Sequence, residues 1–68
     1  MNLSRVVGEL NARLTACGIV KHRVVPDTVH YIYSSGKLPK PRWEAGRFDY
    51  SEKDVDLLFG ILKERWGE

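Results

Sequence analysis

The chain has 68 residues, a net charge of +2 and 43% hydrophobic residues, which makes one small domain able to bury about 60% of its unfolded surface. No apolar run approaches the roughly 20 residues of a membrane span, and the N-terminus lacks the basic-then-apolar order of a signal peptide. The single cysteine, Cys17, excludes an internal disulfide and a cysteine-pair zinc site. We therefore expect a cytoplasmic protein that contacts no membrane, with Cys17 buried as a small hydrophobe.

The charges are distributed unevenly along the chain. Residues 1–47 hold eight basic and three acidic side chains, a net +5, whereas residues 48–68 hold three basic and six acidic side chains, a net −3. A basic body with an acidic end is expected of a protein that meets a polyanion with one face. Chance clustering on a solvated surface is the alternative, and charge alone does not separate the two.

The first predicted element is a helix over residues 4–16. Ser4 is its expected N-cap, since a serine hydroxyl can accept an unpaired backbone N–H. Gly18 is expected to end it in a left-handed conformation. A close contact with another helix would explain Gly8 in its interior, but the sequence does not show one. One apolar face follows the three- and four-residue spacings of a helix: Val6, Val7, Leu10 and Leu14.

The second predicted element is a short helix over residues 26–35, which follows an extended loop or short strand over residues 19–25. The latter segment is rich in β-branched residues and precedes Pro26, which favours an extended conformation at the residue before it. Pro26 itself suits the first helical turn, and Gly36 is expected to end the helix. Val29, Ile32 and Tyr33 are expected to point inward, and Thr28, His30, Tyr31 and Ser34 outward.

The third part is a predicted hairpin followed by a helix. Residues 37–42 form an extended edge strand, because Pro39 and Pro41 cannot donate to a ladder. Residues 42–49 form a loop, and residues 48–50 return as the second strand. Ser51 and Asp54 have the spacing of a capping box, so a helix begins there. Its apolar face contains Val55, Leu58, Phe59 and Leu62, widened by Leu57, Ile61 and Trp66.

The order of residues in this half of the chain resembles a known family. The matching positions are Thr28, His30, Tyr31, Gly36, Leu38, Pro39, Gly46, Arg47, Tyr50, Glu52 and Asp54. They resemble the DNA-binding domain of MerR-type regulators and of small excisionase-like relatives. The resemblance implies a mainly α fold with a small β-hairpin, a winged helix-turn-helix of three helices and a two-stranded wing. It implies that His30 and Tyr31 contact DNA from the recognition helix and that Arg47 contacts it from the wing.

The chain departs from the family pattern in four places. The family usually has arginine where His30 stands, and its second aromatic residue is replaced by Ile32. The second arginine often found beside the wing glycine is missing, so Phe48 is expected to pack. The connection between the first two helices, residues 17–25, is longer than the usual turn.

The function predicted from these features is sequence-preferring binding of double-stranded DNA. The protein would act as a small MerR-like transcription regulator or as a recombination or packaging accessory factor of a mobile element. Self-association or cooperative binding on DNA is left open, and so is whether the chain is complete or one domain of a longer protein. Eight residues are predicted to contact DNA: Thr28, His30, Tyr31, Ser34, Lys37, Lys40, Arg42 and Arg47.

The alternative function is a protein-interaction module that keeps the winged fold without binding DNA. The acidic third helix together with Trp66 would then be the docking surface. Trp43 either packs the wing onto the body or touches sugar and phosphate, and Tyr50 is expected to pack the wing against the third helix.

Catalysis, metal binding and a cofactor are not predicted. His22 and His30 have no cysteine or paired carboxylate arranged around them, and a zinc site needs about four converging ligands. The acidic residues from Glu52 to Asp56 have the position of a helix start, where negative charge is favoured. Phosphate-loop and dinucleotide glycine patterns are missing.

Overall fold

The computed structural model describes residues 1–67 and shows three helices and one short hairpin. The helices are α1 (Leu3–Ala16), α2 (Pro26–Ser34) and α3 (Glu52–Trp66), and the strands are β1 (Arg42–Glu44) and β2 (Arg47–Asp49). The two strands pair antiparallel, with Trp43 opposite Phe48. The predicted mainly helical chain with a two-stranded hairpin is therefore confirmed. Within residues 1–67, no helix combines the length and the apolar character needed to cross a membrane.

Helix α1 begins one residue earlier than predicted. The side-chain oxygen of Asn2 accepts the backbone N–H of Arg5 at 2.9 Å, so Asn2 is the N-cap and the predicted cap at Ser4 is wrong. Gly18 ends the helix with a φ of 80°, as predicted. A Cβ placed at Gly8 would meet nothing within 4 Å, so a close helix contact does not explain this glycine.

The connection between α1 and α2 contains no strand, and the Asn11 side chain pairs with its backbone. Asn11 on α1 donates from Nδ2 to the Val24 carbonyl at 3.0 Å and accepts the Val24 N–H at 2.8 Å. Because both backbone groups of Val24 are paired in this way, Val24 can be buried without a β-ladder. Cys17, at the C-cap of α1, is exposed. The predicted burial of Cys17 is wrong, because the residue caps the end of α1, beyond Leu14, the last buried position of that helix.

Helix α2 follows the predicted pattern closely. Pro26 is its first residue, and Val29 and Ile32 are buried. Tyr33 is partly buried beside the core. Gly36 follows the helix with a φ of 76°, a conformation that glycine adopts without steric cost.

The hairpin is tighter than predicted. The strands are Arg42–Glu44 and Arg47–Asp49, so the predicted loop over residues 42–49 is mostly strand. Residues 37–41, predicted as strand, are unpaired. The shift has a local cause: Ala45 and Gly46 both have positive φ, 51° and 78°, which allows a two-residue turn.

The hairpin joins the helices through Tyr50 and the N-terminus. Tyr50 is buried, and its backbone N–H donates to the Met1 carbonyl at 3.0 Å. The Met1 nitrogen in turn donates to the Tyr50 carbonyl at 2.6 Å and to the Asp49 carboxylate at 2.9 Å. The prediction that Tyr50 packs is confirmed.

Helix α3 begins with the predicted capping box. The Ser51 hydroxyl accepts the Asp54 N–H at 3.2 Å, and the Asp54 carboxylate accepts the Ser51 N–H at 2.8 Å. α1 packs against both α2 and α3, so it lies at the centre of the domain. The core consists of Val6, Leu10, Leu14, Val24, Val29, Ile32, Tyr50, Val55, Leu58 and Leu62.

Candidate nucleic-acid interface

Helix α2 separates an apolar side from a polar side. Because Val29 and Ile32 are buried in the core, the side chains at the intervening helical positions point to solvent. His30, Tyr31 and Ser34 are exposed, as predicted. Their imidazole, phenol and hydroxyl groups can donate or accept hydrogen bonds.

Thr28 has a structural task at the start of α2. Its hydroxyl accepts the backbone N–H of Val25 at 3.2 Å, and its side chain is half-buried. The predicted fully outward orientation of Thr28 is therefore only partly right. The hydroxyl satisfies a backbone donor just before the helix begins.

Tyr31 is the large exposed aromatic of α2. Its side chain is 61% exposed, and the guanidinium of Arg65 lies 5.4 Å from its ring centroid. A guanidinium over a tyrosine ring is attracted by the electron density of the ring face. The last turn of α3 therefore brings a cation beside α2. Arg65 was missed in the sequence, where a basic residue in the last helical turn is explained by the helix dipole alone.

A cleft of about 420 Å³ separates α2 from the hairpin. It brings three predicted site residues together: His30 and Ser34 from α2, and Lys40 from the segment before β1. Its remaining lining is aromatic or apolar and consists of Tyr33, Pro41, Phe48 and Tyr50.

The phenols of the cleft sit in a poorly hydrated environment. Tyr33 Oη is buried and has no hydrogen-bond partner among residues 1–67. Burial raises the pKa of Tyr33 to about 12, and the charges of Asp54 and of ionised Tyr50 add to the effect. Burial also raises the pKa of Tyr50, again with a contribution from Asp54. Both side chains therefore remain neutral hydrogen-bond donors at neutral pH.

The hairpin carries two arginines in different situations. Arg42 Nε lies 3.4 Å from a Glu44 carboxylate oxygen, and it stands opposite Asp49 in the ladder. Its charge is therefore partly compensated within the hairpin. Arg47 is exposed next to the turn and lines a second groove, between the hairpin and Met1, rather than the cleft. Charge from Arg42 and Arg47 contributes to a lowered pKa of Asp49, whose main cause is the hydrogen bond from the Met1 amino group.

The aromatic side chains of the hairpin pack on one another. Trp43 meets Phe48 edge to face, with ring centroids 4.8 Å apart, and Phe48 continues to Tyr50 at 6.3 Å. Phe48 is half-buried, as expected for packing, while Trp43 remains 61% exposed. Trp43 therefore covers the hairpin and still presents an aromatic surface beside it.

The predicted site residues thus fall into separate groups. The cleft unites His30, Ser34 and Lys40, whereas Tyr31 lies with Arg65. Lys37, in the segment after Gly36, is exposed and lines neither groove. Residues 1–67 contain no group of three or more histidine, cysteine, aspartate or glutamate side chains that could hold a metal ion.

Comparison with known proteins gave no match to a family model, a curated protein or a solved structure.

Proposed function

We propose that the protein binds double-stranded DNA, with α2 as the recognition helix of a winged helix-turn-helix and the hairpin as its wing. The observation that carries the proposal is the exposed side of α2. Its polar and aromatic side chains point away from the core, and cations from other elements, Lys40 and Arg65, lie beside it. An α-helix fits into the major groove, and flanking cations can bind the phosphates on either side.

The charge distribution supports the same proposal. Lys37, Lys40 and Arg47 are exposed and have no ion pair with an acidic side chain in the described part of the chain. Arg65 adds a fourth cation. Such side chains supply salt-dependent, sequence-independent affinity for DNA. Tyr31 would supply preference for certain base sequences, because contacts to base edges carry sequence information.

The biological setting follows from the resemblance to MerR-type and excisionase-like domains. A small transcription regulator would use this surface in the cytoplasm, and so would a recombination or packaging factor of a mobile element.

The primary test is a fluorescence-anisotropy titration of the protein against a labelled duplex of random sequence at about 50 and 200 mM salt. If four cations contact phosphates, affinity is expected to fall about 100-fold between the two conditions. Affinity that is absent at both salt concentrations would contradict the proposal.

A pair of matched variants tests which lysine contacts DNA. Lys40→Ala is expected to weaken binding to all sequences and to lower the salt slope by about one unit. Lys53→Ala removes the same charge from the exposed start of α3 and is expected to bind like the parent. Equal losses in the two variants would show a nonspecific charge effect.

A second pair tests recognition and the hairpin. Tyr31→Ala is expected to reduce the preference for duplexes enriched from a random pool, since α2 reads base edges. If Lys40→Ala changes specificity while Tyr31→Ala changes only general affinity, α2 is not the reading element.

Arg47→Ala is expected to weaken binding by about 1–3 kcal/mol with little change in melting temperature. Arg5→Ala on α1 is the control and should bind normally.

A protein-interaction function is the second candidate, and one observation favours it. Trp66 stacks on His22 with ring centroids 4.9 Å apart, next to Val20, which is 70% exposed. These residues line a groove of about 250 Å³. A partner docked on this apolar surface would bind with little dependence on salt, in contrast to DNA.

A further inference from the structure

The cleft between α2 and the hairpin is lined by both polar and apolar side chains. His30 and Ser34 face it from α2, and Lys40 faces it from the segment before β1. In residues 1–67, none of these three side chains forms a hydrogen bond or an ion pair with another part of the protein. The remaining lining consists of Pro41, Phe48 and the phenol rings of Tyr33 and Tyr50.

The polar groups of the cleft suit an anion with several oxygens. A lysine ammonium, a serine hydroxyl and an imidazole N–H are all hydrogen-bond donors. No carboxylate of residues 1–67 lines the cleft. The apolar side chains lower the polarity beside these donors, which strengthens their attraction for an anion.

His30 supplies the imidazole that lines this cleft. Histidine is the residue whose ordinary titration lies between pH 5 and 8. The groups around it are Lys40 across the cleft, the phenols of Tyr33 and Tyr50, and Asp27 one turn earlier on α2. Asp54 influences the two phenols but does not line the cleft.

Building on the proposed DNA binding, we propose that a DNA phosphodiester occupies this cleft between Lys40 and His30, and that His30 is protonated when it binds. The phosphate would accept hydrogen bonds from the Lys40 ammonium, the Ser34 hydroxyl and the His30 imidazolium. One proton is taken up from solvent by His30 in this step, and no covalent bond changes.

The sign of the pH dependence follows from this proton uptake. The complex holds more protons than the free protein, so DNA affinity rises as pH falls. The change in DNA affinity is confined to the pH range in which a histidine side chain gains or loses a proton. A phosphate that stabilises the imidazolium relative to the neutral imidazole is expected to make binding about three- to tenfold tighter at the acidic end of this range.

The test measures the affinity of a fixed 20-base-pair duplex at pH 5.5, 6.5 and 7.5 and constant ionic strength. The parent is expected to bind about three- to tenfold more tightly at pH 5.5 than at pH 7.5. His30→Gln keeps a hydrogen-bonding side chain that cannot become charged, and its affinity should change little with pH. His30→Arg is permanently charged and should bind at pH 7.5 about as tightly as the parent does at pH 5.5.

His22→Gln is the matched control, since His22 lies on Trp66 and away from the cleft. It should retain the pH dependence of the parent. Parent-like pH dependence in His30→Gln, or its loss in His22→Gln, would overturn the proposal.

A double-mutant cycle tests whether Lys40 and His30 hold the same phosphate. At pH 5.5, Lys40→Gln combined with His30→Gln is expected to cost less affinity than the two single changes together, because either one already releases the phosphate. Strict additivity would place the residues on separate phosphates and would contradict a shared site.

The outcomes separate this inference from the proposed function. Salt-dependent binding of the parent without any change between pH 5.5 and 7.5 would overturn the phosphate site and leave DNA binding intact. No binding of duplex DNA under any of these conditions would overturn both.

Discussion

Ala45 adopts a backbone conformation that is costly for a residue with a Cβ atom. Its φ is 51°, and the following Gly46 has a φ of 78°. A two-residue turn with positive φ at both positions prefers asparagine or aspartate followed by glycine, whereas left-handed backbone costs alanine about 1–2 kcal/mol.

Ala45→Asn is therefore expected to stabilise the protein by about 0.5–1 kcal/mol. Thermal or urea unfolding measures the change. Ala12→Asn on the exposed side of α1 is the control and should destabilise by about 0.5 kcal/mol, because asparagine is a poorer helix former than alanine. A loss of stability in Ala45→Asn would show that the turn differs from the one described.

Tyr33 links stability to alkaline pH. Its pKa in the folded protein is about 12, against about 10 for an unfolded tyrosine. The folded state therefore holds its proton more strongly, so this contribution to stability is complete below about pH 10 and is lost as pH rises toward 12.

Tyr33→Phe is expected to lose less unfolding free energy than the parent between pH 9 and 11. At pH 7 it should be as stable as the parent or slightly more so, because the buried hydroxyl has no hydrogen-bond partner to lose. Tyr31→Phe, on the exposed side of α2, is the comparison and should follow the parent curve. Identical alkaline curves for Tyr33→Phe and the parent would contradict this prediction.

At the scale of elements, the connection between α1 and α2 depends on Asn11. Asn11→Ala removes two hydrogen bonds and leaves the N–H and carbonyl of the buried Val24 without partners. We expect a loss of about 2–4 kcal/mol, measured by urea unfolding. Asn11→Asp restores only the acceptor and should recover part of the loss. Full stability in Asn11→Ala would mean that the connection is held by packing alone.

In the interior of α1, a substitution at Gly8 is expected to stabilise the protein, in contrast to the substitution at Asn11. Gly8 is exposed and has an ordinary helical environment with open space at the Cβ position. Gly8→Ala is therefore expected to stabilise the protein by about 0.5–1 kcal/mol, since alanine loses less conformational entropy in a helix. Gly46→Ala is the contrasting variant, because its positive φ disfavours alanine, and it should destabilise. Thermal unfolding of both variants distinguishes the two situations.

For the whole molecule, one small core joins α1 to both other helices. Leu58 on α3 is fully buried in that core. Leu58→Ala is expected to cost about 2–5 kcal/mol, a large share of the stability of so small a domain. Far-ultraviolet circular dichroism during thermal unfolding measures the loss. An unchanged melting curve would show that α3 does not pack as described, and Lys53→Ala on the exposed side is the control.

The sequence alone determined the elements whose signals are local. The apolar spacing of α1 and α3, Pro26 at the start of α2, and the Ser51 and Asp54 capping box each depend on residues within one or two turns. The outward orientation of His30, Tyr31 and Ser34 followed from the same spacing. Asn2 and Ser4 could each cap α1, and the cap predicted from the sequence, Ser4, was wrong.

Only the tertiary structure decided which of these residues meet. Three contacts join residues from different elements. Arg65 lies over the Tyr31 ring, Asn11 is hydrogen-bonded to Val24, and His30 and Lys40 line one cleft. No periodicity within one helix encodes such contacts, since they depend on how the helices pack around α1. The positions of the hairpin strands could not be predicted from the sequence either, because the turn contains an alanine in a conformation that alanine rarely adopts.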